Sequence, residues 1–449
     1  MNRIHMFELN EKKIVLDINS GSVHVVDELT WDIIKDYLNN SLNDIIYKYK
    51  SKYNEDSIKD AYKEIKFLID KDILFSEDIY EKYVDINKQN IVKALCLHVA
   101  HDCNLKCKYC FASQGDYKGS KEIMSLDVGK KSLDFLVENS GNRRNLEVDF
   151  FGGEPLMNFE VVKELVKYGR ELEKEYNKNF RFTITTNGVL LDDDKIDYIN
   201  KEMQNVVLSL DGRKEVNDNM RLTDNDKGSY DLIVPKYKNL LKKRQDKDYF
   251  IRGTFTNKNL DFSKDVLHYK ELGFDVTSME PVVTDPKEDY AIREEHLDTI
   301  LKEYEKLSKE YIKINKAGEN FSFYHFIIDL NQGSCAIRRV AGCGAGSYYL
   351  AVTPNGQLYP CHQFVDNEEL KLGDVEKGIT NNELREEFKN ISIYNKEDCP
   401  DCWARFYCSG GCHANAYNAN GDFRKPDKLS CEMEKKRLEC AISIAANLD

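Results

Sequence analysis

The pattern of apolar and polar positions divides this chain into three stretches. Near the start, apolar residues come in short runs: Phe7-Glu8-Leu9, Lys13-Ile14-Val15-Leu16-Asp17-Ile18 and Val23-His24-Val25-Val26, separated by Asn10-Glu11 and Asn19-Ser20-Gly21. These predict three short strands with turns between them. The period then becomes helical over 28–38, 41–49 and 57–69, where Ile58, Ala61, Tyr62, Ile65, Phe67 and Leu68 mark an apolar side. From 91 to 315, strand-like runs at 94–99, 146–151, 181–186, 206–210, 250–256 and 275–281 alternate with helical stretches such as 126–138, 160–176 and 192–203. Such alternation predicts an α/β fold with parallel strands and right-handed helical crossovers. The remainder, 316–449, is rich in turns and cysteines, with a last helix over 432–446.

At 449 residues the chain exceeds one ordinary core. Two or three domains are expected, with boundaries that follow the three stretches: 1–90, 91–315 and 316–449. A hydrophobic fraction of 41% with only 8 prolines indicates an ordered globular chain. No run approaches the roughly 18 apolar residues of a membrane span. The opening Met1-Asn2-Arg3-Ile4-His5-Met6-Phe7-Glu8 lacks the apolar core of a secretion signal. A formal net charge of −13 argues against a nucleic-acid partner, since phosphate binding needs a basic face. With 13 cysteines in an unsecreted chain, metal or redox chemistry is expected rather than disulfides. These features predict a cytoplasmic protein with neither membrane nor nucleic-acid partner.

The densest chemistry lies in Cys103-Asn104-Leu105-Lys106-Cys107-Lys108-Tyr109-Cys110, directly after the apolar run 94–99. Three thiols at this spacing can cap three irons of a 4Fe–4S cube and leave the fourth iron without a protein ligand. Proteins that only carry electrons usually present four cysteines per cluster, so a small molecule is expected to complete the site. A zinc knuckle with His101 as fourth ligand is the alternative. Phe150-Phe151-Gly152-Gly153-Glu154-Pro155 closes the second strand of the alternating region. Its two glycines let backbone approach a ligand closely, and Glu154 adds a carboxylate. Thr185-Thr186-Asn187-Gly188, Ser209-Leu210-Asp211-Gly212 and Glu280-Pro281-Val282 close the third, fourth and sixth strands. Further on, Cys343 and Cys361 precede Cys399, Cys402, Cys408 and Cys412, and Cys431 follows. A zinc ribbon is the alternative for the 399–412 part. Cys96 and Cys440, within a strand and a helix, read as buried apolar thiols. His98, His325 and His413 have no companion ligands and read as core or surface residues.

The cysteine loop is the signature of the radical S-adenosylmethionine (SAM) superfamily, and the chain resembles that family essentially throughout. The resemblance implies a partial (β/α)6 barrel with its catalytic residues at the C-terminal ends of the strands. It implies a 4Fe–4S cluster on Cys103, Cys107 and Cys110, its open iron chelated by the amino and carboxylate groups of SAM. Gly152, Gly153 and Glu154 would then bind the SAM amino group, Ser209 the ribose and Arg221 the carboxylate. Tyr109 would pack near the adenine, with Glu280 a weaker candidate on that side. The later cysteines match the SPASM extension of radical SAM peptide-modifying enzymes at every spacing. That match implies an outer auxiliary 4Fe–4S cluster on Cys399, Cys402, Cys408 and Cys431, and an inner one on Cys343, Cys361 and Cys412. The fourth inner ligand is either Cys335 or a substrate thiolate on an open iron. Three strands followed by winged-helix-like helices, ending in Lys71-Asp72-Ile73-Leu74, resemble the PqqD-like leader-peptide recognition element. There a peptide adds as an extra strand to an exposed sheet edge. A domain that merely stabilises the catalytic core is the alternative.

Together these parts look like a maturase of ribosomally made peptides, closest to the clostridial maturases of six-cysteine (SCIFF) peptides, which install thioether cross-links. The resemblance implies SAM and three 4Fe–4S clusters as cofactors. It implies as partners a Cys-rich precursor peptide, its leader held by residues 1–90, and a reducing flavodoxin- or ferredoxin-like donor. A 5′-deoxyadenosyl radical would take a hydrogen from a carbon of the core peptide, and a cysteine sulfur would bond to that carbon. Joining C–H and S–H is a two-electron oxidation, and the inner auxiliary cluster suits the role of acceptor for the second electron. The main alternative is a radical SAM enzyme with another product, a C–C cross-linked peptide or a sulfatase formylglycine. A non-catalytic iron–sulfur carrier is a third reading, but it has no use for Gly152-Gly153-Glu154-Pro155.

Overall fold

The structure is a computed structural model that describes residues 3–88, 90–330, 336–365 and 367–448. Its first element is an antiparallel sheet of β1 (Ile4–Leu9), β2 (Lys12–Asp17) and β3 (Val23–Val26), with β2 in the middle. Three helices follow: α1 (Glu28–Tyr37), α2 (Leu42–Tyr49) and α3 (Glu55–Asp70). Each starts at a polar cap, since Asp27, Ser41 and Asn54 accept from the backbone N–H groups of Thr30, Asp44 and Asp56. The unbroken run Ile14-Val15-Leu16 reflects burial on both faces of β2. Val15 packs with Trp31, Ile33, Ile58 and Ile65, which form a core under the helices. Phe7, Leu9, Ile14 and Leu16 instead belong to the main core of the rest of the molecule. The stretch boundary near residue 90 is therefore not a boundary of packing.

The alternating region forms six strand–helix units. The strands are β4 (Ala94–His101), β5 (Asn145–Gly152), β6 (Asn179–Thr186), β7 (Asn205–Ser209), β8 (Asp248–Phe255) and β9 (Val276–Pro281). The helices after them are α4 (Leu126–Asn139), α5 (Phe159–Tyr176), α6 (Asp193–Glu202), α7 (Tyr230–Arg244), α8 (Phe262–Glu271) and α9 (Leu297–Lys316). All adjacent pairs are parallel, and the order across the sheet is β9-β8-β7-β6-β5-β4. Chain order and spatial order coincide, as short βαβ crossovers require. Along β5, Leu146, Val148 and Phe150 are fully buried in the main core, while Phe151 lines the interior cavity.

The cysteine-rich stretch is woven into the same sheet. β10 (Tyr349–Val352) lies parallel to β4 on its free side, with Leu350 beside Leu95, and a small antiparallel meander continues the sheet outward. The last helix, α10 (Lys428–Leu448), packs along α9. It starts earlier than its apolar period predicts, because the Asp427 carboxylate accepts from the N–H groups of Leu429 and Ser430 and caps the first turn. Cys431 is consequently on the helix rather than before it. Among the described residues no helix is long and apolar enough to cross a membrane.

Candidate metal and cofactor site

The cysteine loop is held in shape by strand pairing that its sequence does not announce. Leu105–Cys107 pairs antiparallel with Arg221–Thr223, placing Cys107 opposite Arg221. Tyr109 Oη donates to Asp211 Oδ2 at 2.6 Å, and Arg221 Nη1 donates to Tyr109 Oη at 2.9 Å. Asp211 also accepts from the Thr254 N–H at 3.0 Å, and Arg221 stands 3.9 Å from its carboxylate. Asp211 and Arg221 are buried and Tyr109 is partly so. Burial pushes the Asp211 carboxyl up, against the pull of Arg221 and the Tyr109 hydroxyl. Burial also disfavours the Arg221 charge, but Tyr109, Cys107 and Asp211 around it hold it well above its ordinary pKa. Asp211 is thus the buried counter-ion of the loop, a role not legible in the Ser-Leu-Asp-Gly turn alone.

Thiols 103, 107 and 110 line one cavity. Burial pushes Cys103 up to about 12, reinforced by Glu154, Cys107 and Cys110 and opposed by the N–H of Leu105. Burial likewise pushes Cys107 up to about 11, against the pull of Arg221. As free thiols Cys103 and Cys107 are therefore neutral at pH 7, and a metal must displace their protons to bind. His101, the nitrogen ligand a zinc knuckle would need, is engaged elsewhere. Its Nε2 lies 3.1 Å from Nδ1 of the fully buried His98, and its ring stacks on Tyr117 at 4.5 Å. Burial lowers the pKa of both imidazoles, that of His101 to about 4.

The Gly-Gly-Glu-Pro turn is bonded directly to the lead-in of this loop. Gly153 N–H donates to Ala100 O at 2.8 Å and Glu154 N–H to Asp102 O at 2.9 Å. Glu154 is fully buried and accepts from Thr186 Oγ1 (2.7 Å), Asn187 N (2.8 Å) and Leu156 N (3.0 Å). Burial lifts its pKa to about 7, while those three donors, Asn187 first, and then Arg221 hold it down. Asn187 Nδ2 in turn reaches Asn104 Oδ1 at 2.8 Å and Cys103 Sγ at 3.6 Å. A Gln at 154 cannot accept at its amide nitrogen, so Glu154→Gln should strand a buried donor at a cost of about 1–3 kcal/mol. Thermal unfolding of the variant should show that loss.

The later cysteines gather into two further sets. Burial raises Cys343, and Cys412 adds to it; burial raises Cys361 further, with Cys412 and Cys343 adding to it. Cys343 and Cys412 are exposed, but toward an interior cavity. Cys399 and Cys431 are each pushed up by burial to about 11, and burial raises Cys408 as well. The neighbouring thiols that add to those shifts are 399, 402 and 431. Between the sets sits Lys396, buried, donating to Gly410 O at 2.6 Å. Burial lowers its pKa, and Cys399, Cys408, Cys412 and Cys431 counter that. It is a cation placed for thiolates, and nothing but its position three residues before Cys399 hints at this. Among the described residues no three such side chains close on a single ion. Cys335 lies outside the described residues. Cys96 and Cys440 are fully buried within the protein core and belong to none of the three sets.

A cavity of about 780 Å³ is lined by members of all three thiol sets together with Tyr109, Gly152, Gly153, Ser209 and Arg221. Part of its wall is ionic. Glu280, at the end of β9, lies 3.1 Å from His325 Nε2 and 3.9 Å from Arg437 on α10. Burial works against the Glu280 charge, but His325, Arg252 and Arg437 hold its carboxyl well below the usual range. Arg437 is paired in addition with Glu434. Glu280 is thereby fixed as an anion by His325 and Arg437 of the C-terminal stretch together with Arg252.

Buried donors at the cysteine loop fit a bound group with several acceptors. Arg221 Nε and Asn104 Nδ2 are both enclosed without a hydrogen-bond partner. A Cβ on Gly152 would fall 2.2 Å from Ala100 O, and one on Gly153 2.2 Å from Asp102 O, so only glycines allow this cradle. The donor sets are thiols, which once deprotonated are the ligands of iron–sulfur clusters.

Residues 93–234 match the family of the 4Fe–4S single cluster domain, and residues 343–403 match SPASM, an iron-sulfur cluster-binding domain. The chain is 28% identical over 363 residues to a cysteine-type anaerobic sulfatase-maturating enzyme of Clostridium novyi, covering 76% of this chain and 93% of that enzyme. It is 31% identical over 228 residues to an uncharacterized protein of Methanocaldococcus jannaschii, covering 51% of this chain and 72% of that one. It is 23% identical over 433 residues to the radical SAM cyclopropyl synthase TigE of Paramaledivibacter caminithermalis, covering 92% and 85%. Two solved structures share the fold. One is anSMEcpe with bound AdoMet and Cp18Cys peptide (TM-score 0.65, 22% identity, covering 80% of this chain and 99% of that one). The other is Streptococcus suis SuiB bound to precursor peptide SuiA (TM-score 0.55, 16% identity, covering 95% and 98%).

Proposed function

Since the chain belongs to the radical SAM/SPASM family, we propose that it matures a ribosomally made, cysteine-rich precursor peptide by forming thioether cross-links within it. The observation that carries this reading is the cavity shared by all three thiol sets, which also exposes Gly152, Gly153, Ser209 and Arg221. Cys103, Cys107 and Cys110 would hold one 4Fe–4S cluster, with SAM on Gly152, Gly153, Glu154, Ser209 and Arg221. Cys399, Cys402, Cys408 and Cys431 would hold a second cluster. Cys343, Cys361 and Cys412 would hold a third, completed by Cys335 or by a substrate thiolate. When bound, these groups would supply a radical that takes hydrogen from carbon and an acceptor for the second electron of the oxidation.

The chain's own residues then do three things. Glu154, fixed by three donors, would orient the SAM amino group. Arg221, itself held by Tyr109 and Asp211, would offer its free Nε to the carboxylate. Lys396 would offset the charge of the thiolates between the two auxiliary sets. A reducing protein of flavodoxin or ferredoxin type would supply electrons.

Peptide capture is assigned to residues 1–90, as an added strand. β1 lies against α10, where Ser443 Oγ donates to Leu9 O and His5 bonds Glu439, whereas β3 is the other edge and leaves Val25 half exposed. An edge strand with free backbone groups is a ready template for a peptide. The relatives' coverage supports the same reading. The sulfatase-maturating enzyme is matched over nearly its whole length by only 76% of this chain, while TigE is matched by 92% of it. Sulfatase maturation is the second reading, favoured by the identity to the Clostridium novyi enzyme.

Anaerobic reconstitution, followed by SAM and dithionite with and without a Cys-rich leader–core peptide, tests the proposal. Loss of two hydrogens per link and fewer alkylatable thiols, read by mass spectrometry, are expected. Conversion of a sulfatase peptide with no change in the Cys-rich one would move the assignment to the second reading. Deleting residues 1–90 is a poor test, because it strips Phe7, Leu9, Ile14 and Leu16 from the main core, each worth about 1.5–3 kcal/mol. Val25→Asp is cleaner: it should raise KM for the leader-bearing peptide roughly tenfold and leave SAM cleavage without peptide unaltered. An unchanged KM would remove β3 from the docking site.

A further inference from the structure

Arg405 lies between two cysteines of the 399–431 set, is 3% exposed, and touches both halves of the molecule. Its guanidinium donates to Cys402 O at 3.3 Å on one side and to Asn19 Oδ1 at 2.6 Å on the other, 3.6 Å from Asp78. The side chains around it repeat the pattern. Trp403 stacks on His5 with ring centroids 3.8 Å apart, and Tyr407 Oη donates to Gly21 O at 3.3 Å. Ile18 packs into one apolar cluster with Cys399 and Phe406. Tyr394 Oη completes the contact by donating to Asp78 at 2.9 Å. The N-terminal side of this contact is made by the β2–β3 turn and the segment 76–80, which Asn19 and Ser76 tie together at 2.7 Å.

Between residues 390 and 412 the chain has regular structure only at Arg405–Cys408, with left-handed φ at Asp398 (62°) and Ser409 (56°). A single helical turn carries Arg405 and Tyr407, Trp403 precedes it, and no longer helix or sheet fixes where that turn stands. Where ligands come from such a loop, metal binding supplies its folding free energy.

We infer that the loop 399–408 is also the platform on which the N-terminal domain docks, so that metal occupancy of Cys399, Cys402, Cys408 and Cys431 and docking of that domain are coupled. The inference rests on the assignment of those four cysteines to one cluster. Coupling of this kind is reciprocal. Filling the site fixes Arg405 and Tyr407, which hold the turn leading into β3, and docking in turn holds the cluster in place. The turn that leads into the edge offered to a peptide is thus held more firmly in the metal-loaded protein.

Full-length, anaerobically reconstituted protein tests this in two arms. In Cys431→Ala, which leaves loop 399–408 unaltered, amide hydrogen exchange at 17–22 and 76–80 should quicken by at least about fivefold, with β4–β9 as protected as before. In Asn19→Ala/Asp78→Ala, every cysteine remains, and iron should pass to a chelator at least about fivefold faster from the outer site. Unchanged chelation in the double variant overturns the inference, as does full protection at 17–22 in a Cys431→Ala protein that has lost iron. If Cys431→Ala loses protection throughout, the chelation arm decides alone. If it keeps all its iron, the cysteine assignment falls and the coupling falls with it.

Discussion

Alanine at Cys103, Cys107 and Cys110 together should abolish 5′-deoxyadenosine formation from SAM and remove the iron of one site, leaving the iron of the other two. The separation of effects follows from the packing. These three thiols act on one another electrostatically and are braced by Arg221 and Asp211, whereas the two later sets rest on the C-terminal stretch and share Lys396. The triple substitution removes no large side chain and leaves the Leu105–Cys107 pairing with Arg221–Thr223 in place, so the barrel should stay folded. Iron content, visible absorption and chromatography of the nucleoside products are the measurements. Continued deoxyadenosine production would disprove the assignment of the cluster to this loop. Alanine at Cys96 or Cys440 serves as the control: each removes a buried thiol that belongs to no set, and iron content should not change.

Much of this was visible in the amino-acid sequence, for physical reasons that also explain what was not. The six strands of the alternating region fall within two residues of their apolar runs, because each is flanked by polar turns and covered by an amphipathic helix. Cys103, Cys107 and Cys110 stand out because they lie within eight residues, whereas the later cysteines interleave along the chain and only the family resemblance divides them into two sets. Contacts made by very short or ordinary segments were hidden. The three-residue pairing of Cys107 with Arg221 has no period to betray it, and β10 is a four-residue run that reads equally as turn or strand. Ile14-Val15-Leu16 reveals burial on both faces but not that the second face meets the barrel core. Asp211, Lys396 and the Glu280–His325–Arg437 group act through tertiary neighbours, and charge partners far apart in sequence leave no pattern along it.

The second large effect is expected from a single methyl group at Gly153. Its φ is not left-handed, so backbone conformation alone would admit alanine. Space does not. A Cβ there would lie 2.2 Å from the Asp102 carbonyl oxygen, 2.7 Å from its carbon and 3.0 Å from Gly115 Cα, all backbone atoms that cannot rotate away. Relief requires the segment 100–102 to move, and that segment carries Cys103 and is tied to this turn by the Gly153 and Glu154 N–H bonds. Overpacking of this sort costs about 1–3 kcal/mol or more. Because the displaced backbone places the first ligand of the cysteine loop, SAM cleavage should fall far more than stability does. At Gly152, by contrast, alanine meets both Ala100 O at 2.2 Å and a φ of +124°, so Gly152→Ala should cost more stability than Gly153→Ala. Thermal unfolding of both variants beside their deoxyadenosine yields separates the two effects. A Gly153→Ala protein with full SAM cleavage would show that the turn does not set the position of the cysteine loop.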